Sequence, residues 1–544
     1  MRAATFLLLV TTAAPLGAQH VAAPDSTHRD TTHRDTTHAI RQWTTYEDLK
    51  LFSQVLNALR LNHADSLDTH RLVMAAVDGM VHAADPHSFV VAAVRLNPAK
   101  EAAYRAGQLV PVPVSFLDVG GRFMVAGAAP GSAAARADIL PADRLIAVDS
   151  APVTASSVAE LEVALAGPPH STALLTLSRQ RLDGSTVRLE RRVPREAPGA
   201  VTAVPTAILL DRRTGYVRVT SFLSDRAADD LHAALGRLRG LGMERLILDL
   251  RDNGGGEVRQ AARVAGEFLP TGSIVYTAAG RKKDLTDTGR VTRSFFRHEA
   301  RYPVVVLING GTASASELVA GALQDHDRAV IVGSPSFGKA LLMVPMQLSD
   351  GSILIMVVGH TRTPSGRVIQ RIYRGVRLQE YYDGAWAPRD TAGLPRYTTD
   401  DGRTVYGGGG IVPDVTLGAP TPLPLWLERA REDRVPFQWA GAYLDAHGAE
   451  YTTLDAFATA PTLPATAITD FRAFAAAHGD SADEGAPADR TLQRVLALVI
   501  AEAKWGDAGY YRIAALSDPD ISAATAAFDR APGILAGPGG TTAP

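Results

Sequence analysis

The sequence predicts an α/β protein built from several domains, and three observations carry that prediction. From about Pro205 to Leu417, short apolar strands alternate with amphipathic helices, the pattern of an α/β core. Ahead of it, from about Ala103 to Ala197, the pattern changes to short strands around one helix. The 544 residues, at about 100–200 per domain, suffice for roughly three or four domains. Hydrophobic residues make up 46% and charged residues 21%, ordinary values for a folded chain. Lys+Arg total 55 against 57 Asp+Glu, a net charge of -2. With no overall positive field to hold a polyanion, nucleic-acid binding is excluded as a primary role. Cysteine is absent, which excludes disulfides, thiolate zinc sites, a cysteine nucleophile and a lipid-anchor cysteine.

Residues 1–18 read as a secretory signal peptide: Arg2, an apolar stretch Ala3–Ala14, and small residues at Gly17-Ala18. The apolar run is shorter than the roughly 20 residues a spanning helix needs. Export is therefore expected, to a periplasm or beyond the cell, with an uncleaved signal as the only membrane anchor. Residues 19–38 carry a polar repeat of Thr, His, Arg and Asp, which cannot bury enough surface to order itself and is expected to be a flexible linker. A helical region is predicted over 39–102, from Leu49, Phe52, Val55, Leu56 and Leu59 at helical spacing and a second run over Leu72–Val81.

Over 103–197 the predicted elements are a strand Arg122–Ala126, a turn through Gly127–Ser132, a short helix Ala133–Arg136, a strand Arg144–Val148, a helix Val158–Leu165, and a hairpin of Ala173–Ser178 with Thr186–Arg191 around Asp183-Gly184. This order, with "ADRLIAVD" at its centre, resembles a PDZ domain. The sequence departs from that family at Asp138 and Ala142, where glycines are usual, and the carboxylate loop is reduced to Gly107–Val110. The core, 198–418, is predicted to contain strands Gly215–Val219, Arg245–Leu250, Val304–Ile308 and Ala329–Val332, and helices Ala227–Leu238, Val258–Phe268 and Ser314–Gln324. Three prolines in Ala419–Pro424 mark a linker, 425–536 reads as helical, and 537–544 as a frayed tail.

Three core loops bear groups suited to chemistry. Asp249-Leu-Arg-Asp-Asn-Gly-Gly-Gly256 joins a strand to a helix, and its glycines suit either a plain turn or backbone N–H groups aimed at an oxyanion. In Asn309-Gly-Gly-Thr-Ala-Ser314-Ala-Ser-Glu317 the serine opens a helix, where its hydroxyl could be exposed at a strand's carboxyl edge or merely cap the helix with Glu317. In Gly333–Met343, Lys339 precedes Ala340, Leu341, Leu342 and Met343, so it either snorkels to water or sits partly dry. At the ordinary pKa only roughly one lysine in 2,500 is neutral at pH 7, and burial that lowers the pKa by about three units raises this to near one third.

Together "LILDLRDNGGG", "INGGTASASELVAGALQD", "VGSPSFGKA", "TPSGR" and "YGGGGIVPD", with "DPHS" at Asp85–Ser88, resemble in order the carboxyl-terminal processing (tail-specific) serine peptidases. The resemblance runs from about Asp85 to Val415, with the PDZ-like insert where that family places it. It implies a Clp protease/crotonase-like core, N-terminal helices, a C-terminal helical extension, and cleavage of exported proteins near their C-termini by a Ser–Lys dyad. Mapped onto this chain, the nucleophile is Ser314 and the base Lys339, 25 positions later; Ser316 gives 23, which does not fit. The oxyanion donors are the N–H groups of Gly255 and Ala315, and Asp325, Glu317, Asp249 and Arg251 support the site's shape. No metal or cofactor is implied. The partners implied are protein or peptide substrates presenting C-terminal segments, and terminal helices make homo-oligomers in several members.

One position departs from the family. Many members carry a glutamine four residues after the lysine, which orients the amine, whereas here Met343 cannot hold it by a strong hydrogen bond. Asp325 or Gln347 is the expected substitute. Three further readings stay open on the sequence: a catalytically weak PDZ-type scaffold with a degenerate core, a Ser–His pairing with His326 or His360, and an acyl-CoA enzyme of the crotonase type. For Trp505, Tyr510 and Tyr511 the expectation is core packing rather than a binding face.

Overall fold

The computed structural model describes residues 43–532 apart from 92, 94–97, 129–132, 197–201, 283–284, 293–298, 419–422 and 481–488. The signal sequence, the polar repeat and the C-terminal tail expected above lie outside the described residues. The chain divides into two compact units between Ala84 and Asp85. The first contains helices Thr45–Asn62 and Thr69–Ala84. Thr44 opens the earlier helix: its backbone N–H donates to Glu47 Oε2 (2.9 Å) and its hydroxyl accepts the Glu47 N–H (3.3 Å), satisfying two donors the helix start would leave bare. Of the helical region expected over 39–102, two helices fall in this unit, and a third, Pro98–Arg105, follows in the second unit. Asp85 onward belongs to the second unit, where Phe89–Val91 pairs with Ile353–Ile355 as a sheet edge.

The second unit is the predicted α/β core with an inserted module and a helical extension. Its central sheet runs in the order Val415–Thr416, Val330–Gly333, Val304–Ile308, Arg245–Asp249, Thr214–Arg218, Thr206–Leu209. All neighbours are parallel except the last pair. A parallel sheet has both faces covered, which is why "RLILD" and "VVVLI" are near-continuous apolar runs. Successive side chains point to opposite faces. Leu246, Leu248, Val304, Val306, Ile308 and Ile331 pack against helices Ala227–Gly240, Val258–Ala265 and Ala315–Asp325. Ile247, Val305, Leu307, Val330 and Val332 pack against Ile521, Ala524, Ala527 and Phe528 of the last described helix, Pro519–Ala527, and the turn after it. The C-terminal extension therefore completes the core, which the sequence reading did not anticipate.

A second, antiparallel sheet was also not anticipated. It orders Phe89–Val91, Ile353–Arg362, Ile274–Gly280 and Thr286–Arg290, and Leu341–Gln347 pairs with Ile353–Arg362 as well. Between Gln370 and Tyr406 the chain adds a short helix Leu378–Asp383, a single 3₁₀ turn Gly384–Trp386 and a hairpin of Arg396–Thr398 with Thr404–Tyr406.

The inserted module contains the predicted helices Ala133–Arg136 and Val158–Leu165 and strand Arg144–Val148, with the hairpin lengthened to Thr172–Gln180 and Thr186–Pro194. Asp138 (φ 53°) and Ala142 (φ 67°), the two positions where glycine is expected, both adopt left-handed backbone. At Asp138, Arg191 Nη2 donates to the carboxylate (2.8 Å) and Arg179 Nη2 to the backbone carbonyl (2.8 Å), which offsets the strain. Ala142 has no such side chain. Ala142→Gly is expected to stabilise the module by roughly 0.5–1 kcal/mol, because the left-handed penalty exceeds the entropy glycine adds to the unfolded chain. Slower amide exchange across Arg144–Val148 would show it, and unchanged or faster exchange would count against it.

In the extension, helix Asp489–Ser517 bends at Gly506 (φ 65°). Trp505 packs beside Phe457 (centroids 5.5 Å apart) and the Arg218 guanidinium lies 4.7 Å from the Tyr511 ring centre, so these aromatics serve packing. Among the described residues no helix is long and apolar enough to cross a membrane.

Candidate functional site

The three loops leave the carboxyl ends of three adjacent parallel strands, Arg245–Asp249, Val304–Ile308 and Val330–Gly333, the edge at which α/β sheets place ligands. Backbone and side-chain bonds join them. Asn309 Oδ1 accepts the Asp252 N–H (2.8 Å) and Asn309 Nδ2 donates to Asp252 Oδ1 (2.9 Å). Ala313 N–H donates to Asn253 O (3.0 Å), and Phe337 N–H donates to Thr312 O (2.9 Å).

Ser314 stands just ahead of helix Ala315–Asp325 with φ 56° and ψ -119°. A non-glycine residue there costs on the order of 1–3 kcal/mol and persists only where its surroundings hold it. Glu317 holds it. The Glu317 side chain is fully buried, and it gathers both loops. Oε2 accepts the backbone N–H groups of Ser314 (2.8 Å) and Lys339 (2.8 Å), and Oε1 accepts the Gly338 N–H (2.6 Å) and the Ser336 hydroxyl. The Glu317 N–H is taken by the Ser314 carbonyl oxygen (2.9 Å), and Ser314 and Glu317 also stand as the capping box that the sequence offered. Ser314 and Lys339 are thus brought together at the backbone, on one carboxylate oxygen. Burial pushes the Glu317 carboxyl up to about 7, against its four hydrogen bonds, which favour the charged form.

Lys339 is partly buried. Burial lowers its amine below the ordinary lysine range, and the Glu317 and Asp85 carboxylates oppose that shift. No hydrogen bond joins its Nζ to Ser314 Oγ in this arrangement. Neither expected substitute for the missing glutamine holds the amine. Asp325 Oδ2 is taken by the Thr363 hydroxyl and the Ser365 N–H (3.0 Å), and Oδ1 forms an ion pair with Arg367 Nη2 (2.7 Å), which fixes "TPSGR" to the end of helix Ala315–Asp325. Gln347 is exposed at the far end of strand Leu341–Gln347.

At Gly255 (φ +93°) an added Cβ would lie 2.8 Å from Ala315 N and 2.9 Å from Ser314 Cβ, so only glycine fits there. Its own N–H donates to Asn253 Oδ1 (2.9 Å). In this arrangement the N–H expected as an oxyanion donor is thus engaged. Ala315 opens the helix, so its N–H has no acceptor within it. Asp249 and Arg251 bond away from the serine. Burial alone would raise Asp249, but Arg218 and Arg251 hold it well below the usual carboxylate range. Arg251 Nη1 continues to Asp518 (2.8 Å) and Asp520 (3.0 Å), at the start of the last helix. His326 is tied to Asp400 (2.7 Å) and the Ile274 carbonyl (2.8 Å), and these contacts occupy both ring nitrogens.

Four residues near Lys339 escaped the sequence reading of roles: Asp85, His87, Gln370 and Tyr381. The first two lie in the quoted "DPHS" motif, which was the available signal; that its histidine is buried is visible only in the structure.

Residues 213–378 match the sequence model of Peptidase family S41, and residues 124–179 match that of a PDZ domain. The chain is 31% identical over 332 residues to a carboxy-terminal-processing protease of Bartonella bacilliformis, an alignment spanning 60% of this chain and 74% of that one. It is 34% identical over 261 residues to the chloroplastic carboxyl-terminal-processing peptidase 2 of Arabidopsis thaliana, spanning 46% of this chain and 48% of the relative. A solved photosystem II D1 C-terminal processing protease is 25% identical, with a TM-score of 0.35, covering 68% of this chain and 88% of that one.

Proposed function

The chain belongs to Peptidase family S41, the carboxyl-terminal-processing serine peptidases, and from that premise we propose that Ser314 and Lys339 are its nucleophile and base. The observation that carries this reading is the shared Glu317 oxygen, which fixes the backbone of both residues 2.8 Å from one point. Neutral Lys339 removes the Ser314 proton, and the alkoxide attacks a peptide carbonyl. Ala315 N–H receives the developing oxyanion, joined by Gly255 N–H once that group exchanges its bond to Asn253. Lys339 returns the proton to the leaving amine, and water then releases the acyl-enzyme. The PDZ-like module adds the substrate's C-terminal segment as an extra strand and feeds it to the site. The signal-like Met1–Ala18 supports action on exported proteins.

A fluorophosphonate probe tests the nucleophile. It should label one residue, Ser314, and cleavage of an unfolded protein should cease with labelling. Labelling elsewhere, or none with cleavage intact, would refute the assignment, and absence of both would favour the scaffold reading. The pH profile tests the base. Burial lowers the Lys339 pKa, so its neutral fraction grows as pH rises through a value below about 10.4 and then levels off. Turnover should climb with pH and flatten before that point; a profile flat from pH 6 to 10 with chemistry limiting would exclude lysine.

A further inference from the structure

Among the described residues no polar side chain holds the Lys339 amine, and Met343 supplies none, yet the segment around it is held from the other side. Gln370 Oε1 accepts the N–H of Ala340, the next residue (2.9 Å). The same amide donates through Nε2 to the Tyr381 hydroxyl oxygen (3.1 Å) and to the Arg371 carbonyl (3.0 Å). The Tyr381 hydroxyl lies 2.9 Å from His87 Nε2. Gln370 Nε2 can only donate, so Tyr381 accepts from it. With a neutral His87 in its Nδ1–H tautomer, the Tyr381 proton goes onto Nε2. His87 is 6% exposed, and the ring of Phe337, two residues before the lysine, meets its edge at 6.1 Å. Arg371 braces the tyrosine: its Nη2 donates to the Tyr381 carbonyl (2.7 Å) and its guanidinium lies 4.4 Å from the ring centre.

We propose that His87 and Tyr381 are positioning residues for Lys339, clamping the lysine loop through Gln370 and the Ala340 N–H. The inference rests on the dyad reading above. The charged groups around the amine fit it. Burial first, and then the Lys339 ammonium, push His87 down to about 3, with Asp85 opposing and Arg371 adding to the shift. The imidazole is thus neutral across the working range. The amine is left with the Glu317 and Asp85 carboxylates as its opposing charges. Tyr381, pushed up to about 12 chiefly by burial, keeps the proton that the chain needs. Asp85 also shapes the loop: its carboxylate accepts the N–H groups of His87 (2.8 Å) and Ser88 (2.7 Å).

The test compares kcat–pH profiles of wild type, Tyr381→Phe, His87→Leu, His87→Gln and Ser314→Ala on one unfolded protein substrate. Tyr381→Phe removes only the hydroxyl and keeps the packing, so it stays informative if His87→Leu fails to fold. Tyr381→Phe and His87→Leu should lower kcat by roughly 10- to 100-fold, the scale of a misplaced catalytic group, and displace the rising limb of the profile. KM should stay within about twofold, since substrate contacts are untouched. His87→Gln, whose carbonyl can accept from Tyr381, should recover most of the loss. Wild-type kcat and profile in Tyr381→Phe, with Ser314→Ala inactive, leave the dyad standing and overturn the positioning role. A His87→Gln variant as impaired as His87→Leu also overturns it. An active Ser314→Ala overturns the dyad, and the positioning role with it.

Discussion

Lys339→Met is expected to lower turnover of a protein substrate by about 10⁴-fold or more, and Ser314→Ala by a similar factor. Methionine fills much of the volume of the lysine stem and removes only the base, so folding should survive. A nucleophile and its base act as one unit, so the double variant should be scarcely worse than either single one. Additive losses would show that the two side chains work in separate steps. Ser316→Ala is the matched control, because the Ser316 hydroxyl is buried without a hydrogen-bond partner among the described residues. Removing it should cost no activity. Retention of more than a tenth of wild-type turnover by Lys339→Met would sink the assigned base.

Glu317→Gln is expected to disable the site although neither reacting residue changes. Each carboxylate oxygen accepts two donors: Ser314 and Lys339 N–H on one, Gly338 N–H and the Ser336 hydroxyl on the other. Whichever oxygen becomes the amide nitrogen, two donors then face a donor. At about 1–3 kcal/mol for each buried group left unsatisfied, the fold should lose roughly 3 kcal/mol, and turnover should fall about 100-fold as Ser314 and Lys339 drift apart. Thermal unfolding and kcat, measured together, check both effects. The pH dependence separates them in wild type. The folded carboxyl titrates near 7, above its ordinary value of 4.5, so the folded state binds the extra proton between those values. That contribution to stability falls as pH rises from about 4.5 to 7, the reverse of the usual carboxylate. Protonation also takes up one of the four acceptor positions. Acidification below 7 should therefore cost activity without a matching loss of stability from this group.

Local pattern made the core legible wherever both faces of an element were buried. Val304–Ile308 appears with the predicted limits because an apolar run buried on both faces leaves little choice of boundary, and the half-exposed module helix Val158–Leu165 does so because Ser157 caps it. The strands of the antiparallel sheet were lost because Ile353–Val358 are only partly buried and Ile274–Gly280 ends in Ala-Ala-Gly. At the site, the serine, the lysine and the glutamate could be singled out only through the family resemblance of the motifs that hold them. Their surroundings could not be. His87 meets Tyr381, and Ala340 meets Gln370, only because the fold brings distant segments together. Gly255 illustrates the reverse case: its sequence position was informative, but only the coordinates reveal that Asn253 occupies its N–H.

The last described helix lies beneath the sheet, and Arg251 ties its start to the glycine loop. During synthesis, the carboxyl edge that carries Ser314 therefore has no backing until residues near Phe528 leave the ribosome. A nascent chain would hold all its reacting groups and still lack the footing that sets them. Hydrolytic competence would then arrive only after the segment around Phe528 has been made and has docked.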